Sequence, residues 1–173
     1  MDGPVIETER LILRPPVAGD FEAWAGCMAD EATMRFLGGA QPRSAAWRGF
    51  CSMAGAWSLY GFAMFSVIER SSGRWIGRLG PWKPVDWPGT EVGWGLAREA
   101  WGKGYATEVA RPMIEYVFGV STLDTIYATI APENTKSQRV ADKLGMTFER
   151  EWDDDGETVL VYAITRAEAL TDS

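Results

Sequence analysis

The first apolar run, Arg10–Arg14 (RLILR), reads as a strand and is stopped by Pro15 and Pro16. Asp20 stands as an N-cap before FEAWAGCMA, where Phe21, Trp24 and Met28 recur at helical spacing and define a core face. A second helix is predicted from Ser44 to about Leu59, with Trp47, Phe50 and Ala54 on one face and Gly61 as its end. Phe62–Glu69 is β-rich, and the turn Arg70-Ser71-Ser72-Gly73 sends it into an antiparallel partner, Arg74–Leu79. Pro81, Pro84 and Pro88 predict a loop. Glu91–Leu96 (EVGWGL) then alternates, with Val92, Trp94 and Leu96 on one side and Glu91, Gly93 and Gly95 on the other. Two glycines on one strand face predict that something approaches the backbone closely there.

A Gly-rich turn leads into a helix over Tyr105–Phe118, in which Tyr105, Val109, Met113 and Tyr116 keep the period. Pro112 falls inside it, where proline costs ~3 kcal/mol or kinks the helix. Thr125–Ile130 (TIYATI) reads as a strand. Pro132 and Asn134 start a helix with Val140 and Leu144 as its stripe and Gly145 just past its end. Thr147–Trp152, Asp155-Gly156 and Thr158–Ile164 read as a terminal hairpin. The order β-αα-βββ-α-β-α-ββ predicts an α/β chain with mixed strand directions.

At 173 residues the chain is expected to form one domain, 1–173, with a core that needs no staples. It has no histidine, which excludes Ser-His-Asp and Cys-His hydrolysis and any histidine metal site. Two cysteines, Cys27 and Cys51, cannot build a zinc site, so no metal is expected. The N-terminal MDGPVIETERLILRPP lacks the apolar core of a secretory segment, and no stretch approaches ~18 uncharged apolar residues. A cytoplasmic protein with reduced cysteines and no membrane contact is expected. The net charge of −7 argues against nucleic-acid binding. The acids crowded into Glu149–Glu157 read as a solubility feature or as weak preference for a cationic partner. Asp153-Asp154-Asp155-Gly156 lacks calcium-loop spacing and reads as the hairpin turn.

Candidate chemistry gathers in two places. Between strand and helix lies Arg98-Glu-Ala-Trp-Gly-Lys-Gly-Tyr-Ala-Thr107, where Gly102 and Gly104 free the backbone beside a helix N-terminus. Unsatisfied N–H groups and the positive end of the dipole attract phosphate there, and Lys103 adds a charge. A plain flexible turn is the alternative reading. Neither the Walker pattern nor the dinucleotide fingerprint fits, since Gly104 follows Lys103 and Arg98 stands where a third glycine belongs. The second place is Asn134-Thr-Lys-Ser137, which on its own reads as an N-cap and a first turn.

Taken in order, ETERLILRP, EVGWGL, EAWGKGYATE and APENTKSQRVADKLGMTFE resemble the GNAT superfamily of acetyl-CoA-dependent N-acyltransferases. Within it they are most similar to the ribosomal-protein N-terminal (alanine/serine) acetyltransferases. The resemblance implies a mixed central sheet of about seven strands with about four helices, splayed between the fourth and fifth strands. It implies that backbone amides of Trp101, Gly102, Lys103, Gly104, Tyr105, Ala106 and Thr107 hold the coenzyme A pyrophosphate. Val92, Gly93 and Trp94 would pair their backbone with the pantetheine arm. Asn134 would bind the pantetheine or acetyl end, and Ser137 would face the sulfur. Two positions depart from the family pattern: Glu99 replaces the usual Gln or Arg of the turn, and Ala141 replaces a tyrosine acid. Glu99 is expected to point away from the pyrophosphate.

The implied reaction is acetyl transfer from acetyl-CoA to a primary amine, either a protein N-terminus or a small molecule. The amine must lose a proton, and Glu91 is the candidate base, with a plain surface carboxylate as the alternative. Ser137 is the candidate partner of the leaving thiolate, and a backbone N–H of Val92–Trp94 the donor to the oxyanion. Trp82, Trp87, Trp94 and Trp101 read as core or as an acceptor channel, and the resemblance implies that Phe36-Leu-Gly-Gly39, between the first two helices, forms the acceptor rim. A non-catalytic acyl-CoA-binding domain on the same fold is the alternative function, and a nucleotide phosphotransferase is disfavoured by the broken Walker pattern. The chain is expected to be a monomer or a homodimer.

Overall fold

The computed structural model describes residues 3–171, so the expected domain limits at 1 and 173 lie outside the described residues. Strands run over Ile6–Glu7 (β1), Leu11–Arg14 (β2), Phe65–Glu69 (β3), Trp75–Trp82 (β4), Glu91–Leu96 (β5), Thr125–Ile130 (β6), Thr147–Asp154 (β7) and Glu157–Thr165 (β8). Helices run over Phe21–Ala29 (α1), Glu31–Met34 (α2), Arg43–Tyr60 (α3), Tyr105–Val120 (α4), Thr135–Lys143 (α5) and Arg166–Thr171 (α6).

All eight strands join one sheet in the order β1-β2-β3-β4-β5-β6-β8-β7. Every neighbouring pair is antiparallel except β5 and β6. That parallel pair meets at one register position, Glu91 opposite Tyr127, beside a bond from the Tyr127 N–H to the Thr90 carbonyl at 3.0 Å. Past Glu91 the two strands part, and this is the splay expected between the fourth and fifth strands.

The sheet has eight strands rather than seven because β1 is only two residues long, too short to leave an alternation. Two helices beyond the expected four, α2 and α6, span one turn or little more. Periodicity cannot show so short a helix, but a cap can: Asp30 accepts from the Thr33 N–H at 2.8 Å. The loop expected from Pro81 begins later, because β4 continues to Trp82. β3 stops pairing at Leu79, so past that point β4 has a free side where a missing N–H costs nothing.

Two apolar layers sandwich the sheet. On one face α4 lays Val109, Met113 and Val117 against Leu13, Val67, Leu79 and Val92. On the other, α1 and α3 enclose Trp24, Met28, Phe50 and Met53 with Met64, Ile68 and Trp75. The core face of α3 is Ala46, Phe50, Met53, Ala56 and Trp57, one step from the predicted stripe. Trp47 is 49% exposed, because it lies edge-on to the half-buried Phe21 at 4.8 Å instead of pointing at the sheet. Pro112 sits mid-way along an unbroken α4, and nothing in the structure explains how its cost is met.

Candidate active site

The splay is bounded by the N-terminal ends of two helices. α4 begins after Gly104, which adopts a left-handed conformation with φ 78°. Any residue with a Cβ is strained there, which is why the turn needs its glycine. Among the described residues, no group accepts a hydrogen bond from the N–H groups of Gly102, Lys103, Gly104, Tyr105, Ala106 or Thr107. The amide of Trp101 differs: it donates to the Arg98 carbonyl at 3.1 Å and is already used. The expected row of free donors therefore runs from Gly102 to Thr107.

Side chains around this turn are engaged as well. Lys103 is drawn toward Glu69, 3.7 Å away. Arg10, which pattern reading passed over, donates to the Lys103 carbonyl at 2.9 Å and pairs with Glu108 at 2.5 Å. Glu99 pairs with Arg74 at 3.2 Å, so its charge is balanced outside the turn.

α5 begins at Asn134, whose side-chain oxygen accepts from the Ser137 N–H at 3.2 Å. The N-cap reading of Asn134 is therefore right, and the two amide hydrogens of its side chain remain to bind something else. The Ser137 hydroxyl accepts from the indole N–H of Trp94 at 3.1 Å, a bond that crosses from β5 to α5. With that lone pair occupied, the hydroxyl proton can be donated elsewhere. A second bridge lies above it, where the Lys136 ammonium sits 5.0 Å from the centre of the Trp101 ring. Neither Lys136 nor this bridge carried any signal in the sequence. Ala141 is fully buried in the core, so no acid stands at that position.

Glu91 lies at the closed end of the splay and is 8% exposed. Thr129 on β6 donates to its Oε2 at 2.7 Å. Burial pushes the Glu91 carboxyl above the ordinary carboxylate range, against the opposing pull of Thr129, the nearby Trp87 indole and the Arg78 guanidinium. The Trp87 indole N–H is near the carboxylate but has no hydrogen-bond geometry to any partner. A buried carboxylate with a raised pKa is suited to take a proton near neutral pH.

The glycine face of β5 is approached closely, as its pattern predicts, and by the chain's own side chains. A Cβ on Gly93 would lie 2.7 Å from Met64 Cε and 3.4 Å from Glu91 Oε1. A Cβ on Gly95 would lie 3.3 Å from Leu37 Cδ1 and 3.7 Å from Arg78 Nε. Leu37 brings the expected rim segment, Phe36–Gly39, onto this face. The tryptophans divide by role. Trp94 and Trp101 both meet the first turn of α5, Trp82 packs against the core, and Trp87 meets Trp152 of β7 edge-on at 5.0 Å.

On the α4 side, then, the splay offers free amides and a serine hydroxyl; on the α1–α3 side it offers a buried carboxylate among apolar and aromatic groups. Among the described residues, no group of three or more Cys, Asp or Glu could hold a metal. No helix among them is long and apolar enough to cross a membrane.

Comparisons with known proteins agree with this layout. An acetyltransferase crystal structure from Agrobacterium tumefaciens str. C58 is similar at 30% identity and TM-score 0.86, over 96% of each chain. The chain is 39% identical to a protein of Bacillus subtilis (strain 168) named as the uncharacterized N-acetyltransferase YnaD, over 49% of this chain and 50% of that one. The chain thus spans about half the length of the curated relatives it matches first. A spermidine N-acetyltransferase from Vibrio cholerae, crystallised with CoA and spermine, shares the fold at TM-score 0.78 and 18% identity, over 94% of this chain and 99% of that one. The family model described as acetyltransferase (GNAT) domain matches residues 10–147, from the first apolar strand to the start of β7, and so this chain belongs to the GNAT acetyltransferase family.

Proposed function

We propose that residues 1–173 act as one N-acetyltransferase domain that moves the acetyl group of acetyl-CoA directly to a primary amine. The observation that carries this reading is the splay itself. β5 and β6 are joined at one register position, free amides stand at its mouth, and Glu91 and Ser137 are presented from its two sides.

The N–H groups of Gly102–Thr107 would hold the pyrophosphate, with the Asn134 amide and the β5 backbone along the pantetheine arm. When bound, the coenzyme supplies an acetyl thioester, a carbonyl carbon with a thiolate leaving group. Glu91 takes the proton of the incoming ammonium and leaves a neutral amine to form the C–N bond. Past Glu91 the β5 N–H groups that point away from β4 have no β6 partner, so one of Val92–Trp94 can donate to the carbonyl oxygen as charge develops on it. Ser137, held by Trp94, donates to the sulfur as the C–S bond breaks; its hydroxyl passes a proton to the departing thiolate and takes in its place the second proton lost by the nitrogen that has formed the C–N bond.

The acceptor is a primary amine, on a protein N-terminus or on a small molecule. Both cysteines are free, Cys27 buried and Cys51 exposed, which supports a reducing, cytoplasmic setting. An amine screen with acetyl-CoA, read by thiol release, tests the reading. Thiol release that depends on the amine supports it. A rise in melting temperature with acetyl-CoA but no amine-dependent thiol release would instead favour an acyl-CoA-binding domain without catalysis.

A further inference from the structure

Arg78 is a charged group on the glycine face of β5 whose chemistry the transfer reaction leaves unused. It sits on β4 directly opposite Gly95, so its side chain shares the face of Glu91 and Gly93. Its Nε is shut off from solvent and has no hydrogen-bond partner. Its Nη1 meets only the thioether of Met64, at 2.7 Å, and its guanidinium lies 5.3 Å from the centre of the Trp24 ring. Among the described residues no carboxylate forms an ion pair with it. Glu91 acts on it only through space, and the neighbouring thiol of Cys27 is pushed up to about 11 by burial and stays neutral.

Arg78 as a whole is half-buried, but its Nε is shut off from solvent with nothing to donate to, and such an open fork of donors matches a carboxylate. The remaining charges on this side do not supply one. Only two carboxylates are buried among the described residues, Glu91 and Asp20, and Asp20 is held at both oxygens by Arg14 at 2.7 Å. Arg150, over the Tyr127 ring at 5.8 Å, is already paired with Glu149. A polycationic acceptor would find a single carboxylate here and a guanidinium beside it.

Resting on the N-acetyltransferase reading, we infer that the acceptor is an amine that also carries a carboxylate, a free amino acid in particular, with Glu91 at its nitrogen and Arg78 at its carboxylate. Glu91 and Gly95 stand at the two ends of three same-face β5 positions. Met64 lies over Gly93 and against Arg78, so a small amino acid bracketed by the two groups takes the place of the Met64 side chain, which is flexible enough to swing aside. Leu37 and Trp87 give its side chain an apolar surface. A protein N-terminus has no α-carboxylate and loses this contact.

The test compares L-leucine, L-leucinamide, 3-methylbutylamine and spermidine at equal concentrations of free amine, in the wild type and in Arg78→Met. The wild type is expected to favour L-leucine over L-leucinamide by about 10–100-fold in kcat/KM, the range of a hydrogen bond to a charged group. Arg78→Met should bring that ratio to about one while still acetylating the amide. A separate measurement needs no turnover: tryptophan fluorescence of the wild-type CoA complex titrated with L-leucine, with Trp24 as the reporter beside Arg78. If the wild type acetylates L-leucinamide or spermidine as well as L-leucine, the carboxylate contact is wrong and the transferase reading stands. If no amine is acetylated yet L-leucine binds in an Arg78-dependent way, the transferase reading fails and the anion subsite stands. Absence of both acetylation and binding overturns both.

Discussion

Glu91 shows a functional group held where folding alone would not choose it. Its carboxylate is buried and its pKa is raised, so ionising it costs the folded state. Below the ordinary carboxylate range the group is neutral both folded and unfolded and adds nothing to the pH dependence. Above its raised native pKa the penalty is fully present. Glu91→Gln keeps the Thr129 bond and removes the charge, so its melting temperature should exceed the wild type's at pH 7–8 and approach it near pH 4. The same variant should lose roughly 10²–10⁴-fold in kcat/KM, with partial recovery as pH approaches the amine's own pKa. A loss under about threefold at every pH would make Glu91 a structural carboxylate. Ser137→Ala should lower kcat by roughly 10²-fold with little change in acetyl-CoA binding, because its hydrogen bond matters only once charge reaches the sulfur. Trp94→Phe should follow it with a smaller loss, since it removes only the group that orients the hydroxyl.

At the scale of elements, the α4 start can be tested without strain. Valine at Gly102 or Gly104 would meet positive φ values of 72° and 78°, so lost binding there would be confounded by lost stability. Thr107→Glu avoids this. A carboxylate in the first turn of α4 favours the helix dipole, yet it repels a pyrophosphate. The unliganded melt should be unchanged or higher, and the rise with acetyl-CoA should vanish. A full ligand-induced rise would move the pyrophosphate away from Gly102–Thr107. A second joint is structural. Asp20 accepts from Arg14 twice at 2.7 Å, from the Val17 N–H at 3.0 Å and from Ser66 at 2.7 Å, tying β2 and β3 to the start of α1. Burial works to raise its pKa, but the Arg14 guanidinium and the other donors outweigh it and hold the carboxyl below its ordinary value. Its contribution is therefore present above the unfolded carboxyl pKa and lost as pH falls through the native one. Asp20→Ala should cost about 3 kcal/mol by denaturant melts at pH 7 and much less in acid.

For the whole molecule, the splay divides the sheet into β1–β5 and β6–β8, held together at Glu91/Tyr127 and across α4. A ligand lodged in that gap and touching both parts should stabilise them as one unit. At a concentration of 100 Kd, acetyl-CoA should add about 2.7 kcal/mol to global stability. Amide hydrogen exchange should slow in β5, β6 and the first turn of α5 together. Protection confined to the α4 turn would mean that the arm does not enter the splay.

The periodicity of the chain determined most of its elements, because burial on one side of a helix or strand imposes a 3.6- or two-residue spacing that local sequence must obey. It also determined the glycine face of β5 and the N-cap at Asn134, which are local facts. The likeness of four ordered motifs to one family carried the splay and the coenzyme residues. Only the tertiary structure decided the rest. Short elements such as β1 and α2 have too few residues to show a period, and a proline in β4 is tolerated only because β3 happens to end beside it. Trp47 sits on a helical stripe yet is exposed, since its ring packs edge-on to Phe21 of α1 instead of against the sheet. The Trp94–Ser137 bridge, the Lys136–Trp101 contact and the placing of Arg78 and Glu91 on one face of the sheet join residues far apart along the chain. No local pattern encodes such pairs, because they exist only once β4, β5 and α5 have been brought side by side.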